Sequence, residues 1–285
     1  MSVRNRRIMA AGTAQPRVMS ILSGKGGVGK SVIAFNLAER LSTVGKALLV
    51  DADVFTGNAH ILANVGCGYG WPEYCSGKLT FQEAVTVVTP SLHLLGSPKS
   101  PAIGEEPGSG DVARAIERLR RDARAYQHVI IDHPSGVSEA AIVIALASDL
   151  NMLVLLPELT SISDAYGLFK HLDSKSKTVT AGMLVNRCES PEEAEYIHQK
   201  FGAVTERFIG KAPEFLGHLS EDASWRQAVA NQSAIAATAP ESIAVKELNE
   251  LSQHLINGAG RHQRPARPEP PATTNNQPAK ADIRE

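Results

Sequence analysis

The sequence lacks most of the single devices that staple or target a chain. It holds only three cysteines in 285 residues, Cys67, Cys75 and Cys188, an odd number with no CxxC spacing. That pattern argues against a disulfide framework, a zinc ribbon or an iron–sulfur carrier, and for reduced thiols. Charge of one sign is missing too, since 29 Lys and Arg face 30 Asp and Glu for a formal charge of −1. Affinity for phosphate backbones rests on concentrated basic side chains, so the chain as a whole carries no nucleic-acid signal. Long apolar runs are absent. The most apolar stretch, 140–156, is broken by Ser148, Asp149 and Asn151, groups that are expensive at mid-membrane depth. It reads as a buried helix followed by a buried strand. Arg4, Arg6, Arg7 and Arg17 stand near the start without the apolar core of a signal peptide, which points to the cytosol.

What is present is an ordinary globular composition, 43% hydrophobic and 21% charged. A chain of this length can bury roughly 70–75% of its unfolded surface in one core. From 17 to 257, short β-branched or Leu-rich runs alternate with longer segments of helical period, and no internal repeat occurs. Such alternation predicts an α/β fold, a doubly wound, mostly parallel sheet flanked by helices. Strands are expected at 18–23, 47–50, 92–95, 128–131, 151–156 and 179–185, where the apolar runs are too continuous for a half-exposed sheet. A helix with Ile33, Leu37, Leu41 and Val44 as its inner stripe is expected to end at Gly45. Further helices are expected at 111–125, 138–147, 161–172, 191–201 and 242–256. Residues 1–16 read as a flexible basic arm, 17–257 as one domain, and 258–285 as a disordered tail with too little apolar surface to offset its ordering entropy.

One motif carries chemistry directly. Gly24-Lys25-Gly26-Gly27-Val28-Gly29-Lys30-Ser31 fits G-x-x-x-x-G-K-[ST], between an apolar run and a periodic segment. A chance match in a chain of this size is on the order of one in a hundred. The backbone must wrap a β-phosphate with its N–H groups turned inward, and side chains at Gly26, Gly27 and Gly29 would obstruct it. The following helix adds its positive end. Lys30 is placed to bridge the β- and γ-phosphates, and the Ser31 hydroxyl to ligate Mg²⁺.

Such a loop needs carboxylates at neighbouring strand ends to hold the metal's water shell and align the attacking water. His128-Val-Ile-Ile-Asp132 is an apolar strand ending in an acid, which makes Asp132 a metal candidate. Ala47-Leu-Leu-Val-Asp-Ala-Asp53 ends in two acids. Alternation of faces along a strand divides their labour, with Asp51 toward the metal and Asp53 toward the lytic water. His133, beside Asp132, either tunes switching by its protonation or faces solvent.

Ser23-Gly-Lys-Gly-Gly-Val-Gly-Lys-Ser31 resembles the deviant Walker A of the MinD/ParA ATPases, whose signature lysine matches Lys25. In that family this lysine reaches the phosphates of a partner's ATP, so the resemblance implies an ATP-dependent sandwich dimer with Lys25, Lys30 and Asp53 in the catalytic set. His133-Pro134-Ser135-Gly136 is similar to the family's second switch, usually written Asp-x-Pro-Ala-Gly. An Asn amide can donate to and accept from an adenine edge, and an Arg plane can stack on it. Asn186-Arg187, after a late strand, matches the family's adenine-contacting pair, and the Asn-Lys-x-Asp of guanine-specific proteins is not in the sequence.

Pro157-Glu-Leu-Thr-Ser-Ile-Ser-Asp-Ala-Tyr-Gly-Leu-Phe-Lys170 resembles the Pro-Glu-Pro-Thr-Ser-Ile-Thr-Asp-Ala-Tyr segment of the FlhG/FleN branch, regulators of flagellar number and placement. On residues alone it is a strand end followed by a helix, with Ser161 and Asp164 at capping-box spacing. Gly182–Arg187 and Phe215–Asp222 also fit that branch. The Asp-Gln-Ala-x-x-Leu-Arg element with which many FlhG proteins stimulate the GTPase FlhF is not in the first residues. Nor does a basic amphipathic helix follow the domain, as 242–256 has Lys246 as its one Lys or Arg.

The expectation is a slow Mg-ATP-dependent ATPase switch that dimerises with itself. Its implied partners are an FlhF-like GTPase or flagellar basal-body and regulatory proteins, and its place is the cytosol or the inner face of the cell membrane. The same mechanism could instead position a division, partition, pilus or secretion apparatus. The rivals are a metabolic P-loop ligase resembling dethiobiotin synthetase and a scaffold that binds ATP without hydrolysing it.

Overall fold

A computed structural model describes residues 15–98 and 107–258. Most of the expected basic arm and of the expected tail lies outside them. The chain begins with β1 (Arg17–Leu22), passes through the glycine-rich loop into α1 (Lys30–Ser42), and continues to β2 (Ala47–Asp51). Three short helices, α2 (Ala59–Leu62), α3 (Trp71–Cys75) and α4 (Phe81–Ala84), precede β3 (Thr86–Val87) and β4 (Leu92–Leu95). Helix and strand then alternate through α5 (Ser109–Asp122), β5 (His128–Asp132), α6 (Glu139–Ala147), β6 (Leu150–Leu155), α7 (Leu159–Lys175), β7 (Ala181–Cys188), α8 (Pro191–Ile209) and β8 (Glu214–Ser220). The last helices are α9 (Ala223–Ala230), α10 (Ile235–Thr238) and α11 (Ile243–Asn257).

All eight strands join one sheet in the order β3-β4-β2-β5-β1-β6-β7-β8, parallel except for the β3–β4 pair. This is the doubly wound α/β fold that the alternation predicts. Successive strand residues serve opposite faces. Met19, Ile21, Leu49 and Ile130 pack with α1 and α11, whereas Leu48, Val50, Val129 and Ile131 pack with α3 and α5. A third cluster joins Leu153, Leu155, Met183 and Val185 to Phe169 and Leu172 of α7 and Phe201 of α8. β1 lies at the centre, between β5 and β6. The chain leaves it for β2 on one side and later returns to β6 on the other, which opens a crevice at the carboxyl ends where ligands bind in such sheets.

The six expected strands are all present, five of them within one residue of their predicted ends; β7 begins two residues later than expected and runs three further, to Cys188. The differences have local causes. Val44 is 62% exposed and outside α1, because the helix stops at Ser42 and Gly45 closes it through a bond to the Leu41 carbonyl. α7 starts at Leu159, ahead of the expected 161, so Ser161 is not its cap; its buried hydroxyl accepts the N–H of Leu156 and ties the helix to the end of β6. α8 runs on to Ile209 until Gly210 ends it in the left-handed conformation. β8 went unpredicted because it is buried only in part and Gly217, at φ 130°, shifts its register against β7. Asp51, Asp132 and the glycine loop thereby meet at one edge.

Candidate functional site

The glycine loop is shaped by its neighbours as much as by its own sequence. Gly27 and Gly29 have φ of 77° and 98°, the left-handed region that side chains resist. A Cβ on Gly29 would also fall 2.6 Å from Asn186 Nδ2. Gly24 is required for a reason that lies outside the motif, because a Cβ there would sit 2.4 Å from the Asp164 backbone of α7. Gly26 departs from expectation: Ser135 Oγ, 3.7 Å away, is the nearest atom a Cβ would meet. No side chain caps α1, so its first N–H groups and positive end face the loop.

Lys30 is buried, and its Nζ donates to Ser23 Oγ at 2.9 Å and Ser135 Oγ at 2.7 Å. Burial lowers its pKa, against the pull of Asp132 and Asp53. Lys25 has a different setting in the same loop. It is half-exposed and donates to Glu158 Oε2 at 2.5 Å and to Thr160 Oγ1 at 3.1 Å. Within one chain, therefore, the signature lysine is paired with an acid at the start of α7.

Asp51 and Asp132 stand side by side in the parallel register of β2 and β5, both buried. Burial raises the Asp51 carboxyl well above the usual range, and Asp132 adds to it against the N–H groups of Ala59 and Asp53. Burial likewise lifts Asp132 to about 6, while the Ser31 hydroxyl and Lys30 pull it down. Asp132 Oδ1 is buried without a hydrogen-bond partner. A crowded, under-satisfied set of oxygen donors, Ser31 with these two acids, suits a hard divalent cation such as Mg²⁺. Among the described residues no three acid, His or Cys side chains make a self-sufficient cage. Mg²⁺ at nucleotide sites takes one or two carboxylates and completes its shell with phosphates and water.

Asp53 lies beyond the strand, near enough to act on the charges of Lys30, Asp51 and Asp132. β2 ends at Asp51, so alternation of faces does not extend to it. Its carboxylate accepts the N–H groups of Phe55 and Thr56 and the Thr56 hydroxyl, closing a turn of its own. Both readings of His133 are overturned. The ring is 2% exposed, its Nε2 meets Ser20 Oγ at 2.8 Å, and burial holds its pKa down at about 3, so it neither faces solvent nor titrates near neutrality.

On the far side of Gly29, Asn186 donates its amide to the Val28 carbonyl at 2.7 Å. A carbonyl only accepts, so the amide orientation is set by the loop, with Oδ1 left as an acceptor. Arg187 follows with φ 58° and an ion pair to Glu221 at 3.5 Å. Gly29, Asn186 and Arg187 border one cavity of about 450 Å³. Three residues of the site were not singled out from sequence: Ser135, Glu158 and Thr160. The signal for Ser135 was its place where the family pattern has Ala; for the other two it was their position in the quoted 157–170 segment.

The ParA family model, described as NUBPL iron-transfer P-loop NTPase, matches residues 15–256. The antiactivator FleN of Pseudomonas aeruginosa is 25% identical over 240 residues, which cover 84% of this chain and 86% of FleN. The flagellum site-determining protein YlxH of Helicobacter pylori is 22% identical over 259 residues, covering 90% and 87%. Among solved structures, the septum site-determining protein MinD of Pyrococcus horikoshii, complexed with Mg-ADP, matches with a TM-score of 0.72 at 21% identity, over 87% of this chain and 99% of that one.

Proposed function

The chain belongs to the ParA family of P-loop NTPases, and from that premise we propose that it is a Mg-ATP-dependent, self-dimerising ATPase switch that regulates flagellar number, placement or assembly. The observation that carries the nucleotide reading is the junction of three strand ends, where the loop, Lys30 and the paired acids Asp51 and Asp132 face one another.

In this reading the backbone from Gly24 to Ser31 cradles the phosphates, and Lys30 exchanges its two hydroxyl partners for phosphate oxygens. Ser31, Asp51 and Asp132 hold Mg²⁺, which when bound neutralises charge on the phosphates. Asn186 presents its fixed acceptor to the 6-amino group of adenine, a match that the carbonyl of guanine cannot make. Lys25 gives up Glu158 for the phosphates of a second copy. Exposed ion pairs contribute about 0–1 kcal/mol, so that exchange faces little resistance. Asp53 orients the attacking water once its turn opens, and hydrolysis is slow because no strong base stands ready.

The flagellar assignment rests on FleN and YlxH and on the 157–170 segment; an FlhF-like GTPase or a basal-body protein is the matching partner. The MinD likeness favours a second reading, in which the same switch positions another apparatus at the membrane's inner face. Iron transfer is not proposed. Cys75 and Cys188 are buried, and among the described residues no three Cys, His or acid side chains gather where a metal could be held. Size-exclusion chromatography with light scattering, run with Mg-ATP and Mg-ADP, tests the switch: ATP-specific dimers support it and an unchanged monomer overturns it. Phosphate release then separates a switch from a scaffold.

A further inference from the structure

The loop, the acids and the Asn186–Arg187 pair leave one wall of the site unexplained. The cavity beside Gly29, about 450 Å³, lies within the roughly 300–1,000 Å³ of small-molecule sites. One side of it is α1, through Val32 and Ile33, and the other is Glu221, Trp225 and Val229 at the start and along one face of α9. Residues four apart on a helix line up on the same side, so α9 turns a continuous strip toward the space. Trp225 is the one aromatic side chain in that lining.

The indole is partly buried against the core that includes α1. Its Nε1 is fully buried without a hydrogen-bond partner, so the surface that Trp225 offers the cavity is carbon ring and no donor. Around it, Asn186 is oriented by Val28, and Arg187 and Glu221 neutralise each other at 3.5 Å. Arg226, next to Trp225, also lines the space, so the rim carries two arginines against one glutamate. A flat apolar wall with one fixed acceptor and a net positive rim is suited to an aromatic heterocycle that bears phosphates.

We infer that Trp225 is the wall against which the purine ring packs when the loop holds the phosphates; the inference rests on the nucleotide reading above. Stacking tolerates any π face and grows with ring area. Trp225 therefore sets affinity and the preference for purine over pyrimidine, while Asn186 separates adenine from guanine.

The test uses the full chain with Mg²⁺. The protein has two tryptophans, and Trp71 is 1% exposed in the cluster on the opposite face of the sheet. ATP is expected to quench the wild-type fluorescence, and the quench is expected to vanish in Trp225→Phe while binding persists by calorimetry. Trp225→Ala and Trp225→Leu are expected to weaken ATP by roughly 5- to 150-fold, the range seen when a stacking aromatic is removed, and to erase the preference for ATP over CTP. Inorganic tripolyphosphate should bind wild type and all variants alike, which certifies that the loop is folded. Equal ATP affinity in wild type, Trp225→Ala and Trp225→Leu, or a quench that survives in Trp225→Phe, overturns the inference. A wild type that binds neither ATP nor tripolyphosphate overturns the nucleotide reading beneath it, and this inference with it.

Discussion

The two halves of the proposed nucleotide site, one for the phosphates and one for the base, are built on different terms. The phosphate half comes from one contiguous motif and two strand-end acids, and Lys30, Asp51, Asp132 and His133 in it are all buried beneath an open loop. The base half is assembled from the end of β7, the first turn of α1 and one face of α9, and its charged pair Arg187 and Glu221 is about half-exposed, with Asn186 as its buried polar member. A group in the first half has few alternatives to its partners, since water cannot replace them. A group in the second half can be lost with a graded penalty.

That contrast orders the effects of mutation. Lys30→Ala should remove both ATP and tripolyphosphate binding beyond detection by calorimetry, because it deletes a buried charge facing two buried acids. Residual ATP affinity within tenfold of wild type would mean the base half suffices alone. Gly29 belongs to both halves, so Gly29→Ala is the variant that breaks the division. It forces φ of 98° on a side chain and drives a Cβ into Asn186, and both ATP and tripolyphosphate affinity should fall at least tenfold. Loss of ATP alone would assign Gly29 to the base half.

Asp53→Ala should bind ATP within a few-fold of wild type yet release phosphate at least tenfold more slowly, with dimers accumulating by light scattering. Normal turnover would leave Asp53 as the residue that closes its own turn and nothing more. Leu159, 88% exposed next to Glu158, offers a smaller effect outside both halves. Leu159→Ser should weaken the ATP dimer several-fold by sedimentation while leaving monomer affinity for ATP unchanged.

The phosphate half was legible because local sequence dictates it. A loop that must adopt positive φ needs glycine in fixed places, and an acid that ends a buried apolar strand has one edge to occupy. Gly24 shows the limit: its need is set by Asp164, 140 positions on, and no local rule reports that approach. Helix ends failed for the same reason. Ser161 had the spacing of a cap, yet packing of β6 against α7 drew its hydroxyl to Leu156. α9 and Trp225 escaped notice because a short helix on the surface has too few turns to display a period. For Asp53 the face-alternation argument did not apply, because it was carried two residues past the strand. His133 was misread because a polar residue in a switch loop carries no sign that it is buried against Ser20 of β1, which Ser148 holds in turn.

Acid should sharpen the same comparison, through His133. Its ring is neutral in the fold down to about pH 3 but ordinary when unfolded, near 6.5. Between those values the unfolded chain binds the extra proton, so stability from this residue is whole above about 6.5 and falls as pH drops. Asp51 and Asp132 act in the opposite sense, because carboxyls raised by burial hold protons in the fold that they lose on unfolding. The two effects oppose one another in the wild-type curve, so the residue is isolated by difference. His133→Gln keeps a partner for Ser20 and removes the titration. Its stability relative to wild type, from urea unfolding at pH 7.0 and 5.5, should improve by about 1 kcal/mol on acidification. A constant difference across that interval would mean that water reaches the ring, and that the buried groups beneath the loop are not set apart from the half-exposed pair Arg187 and Glu221.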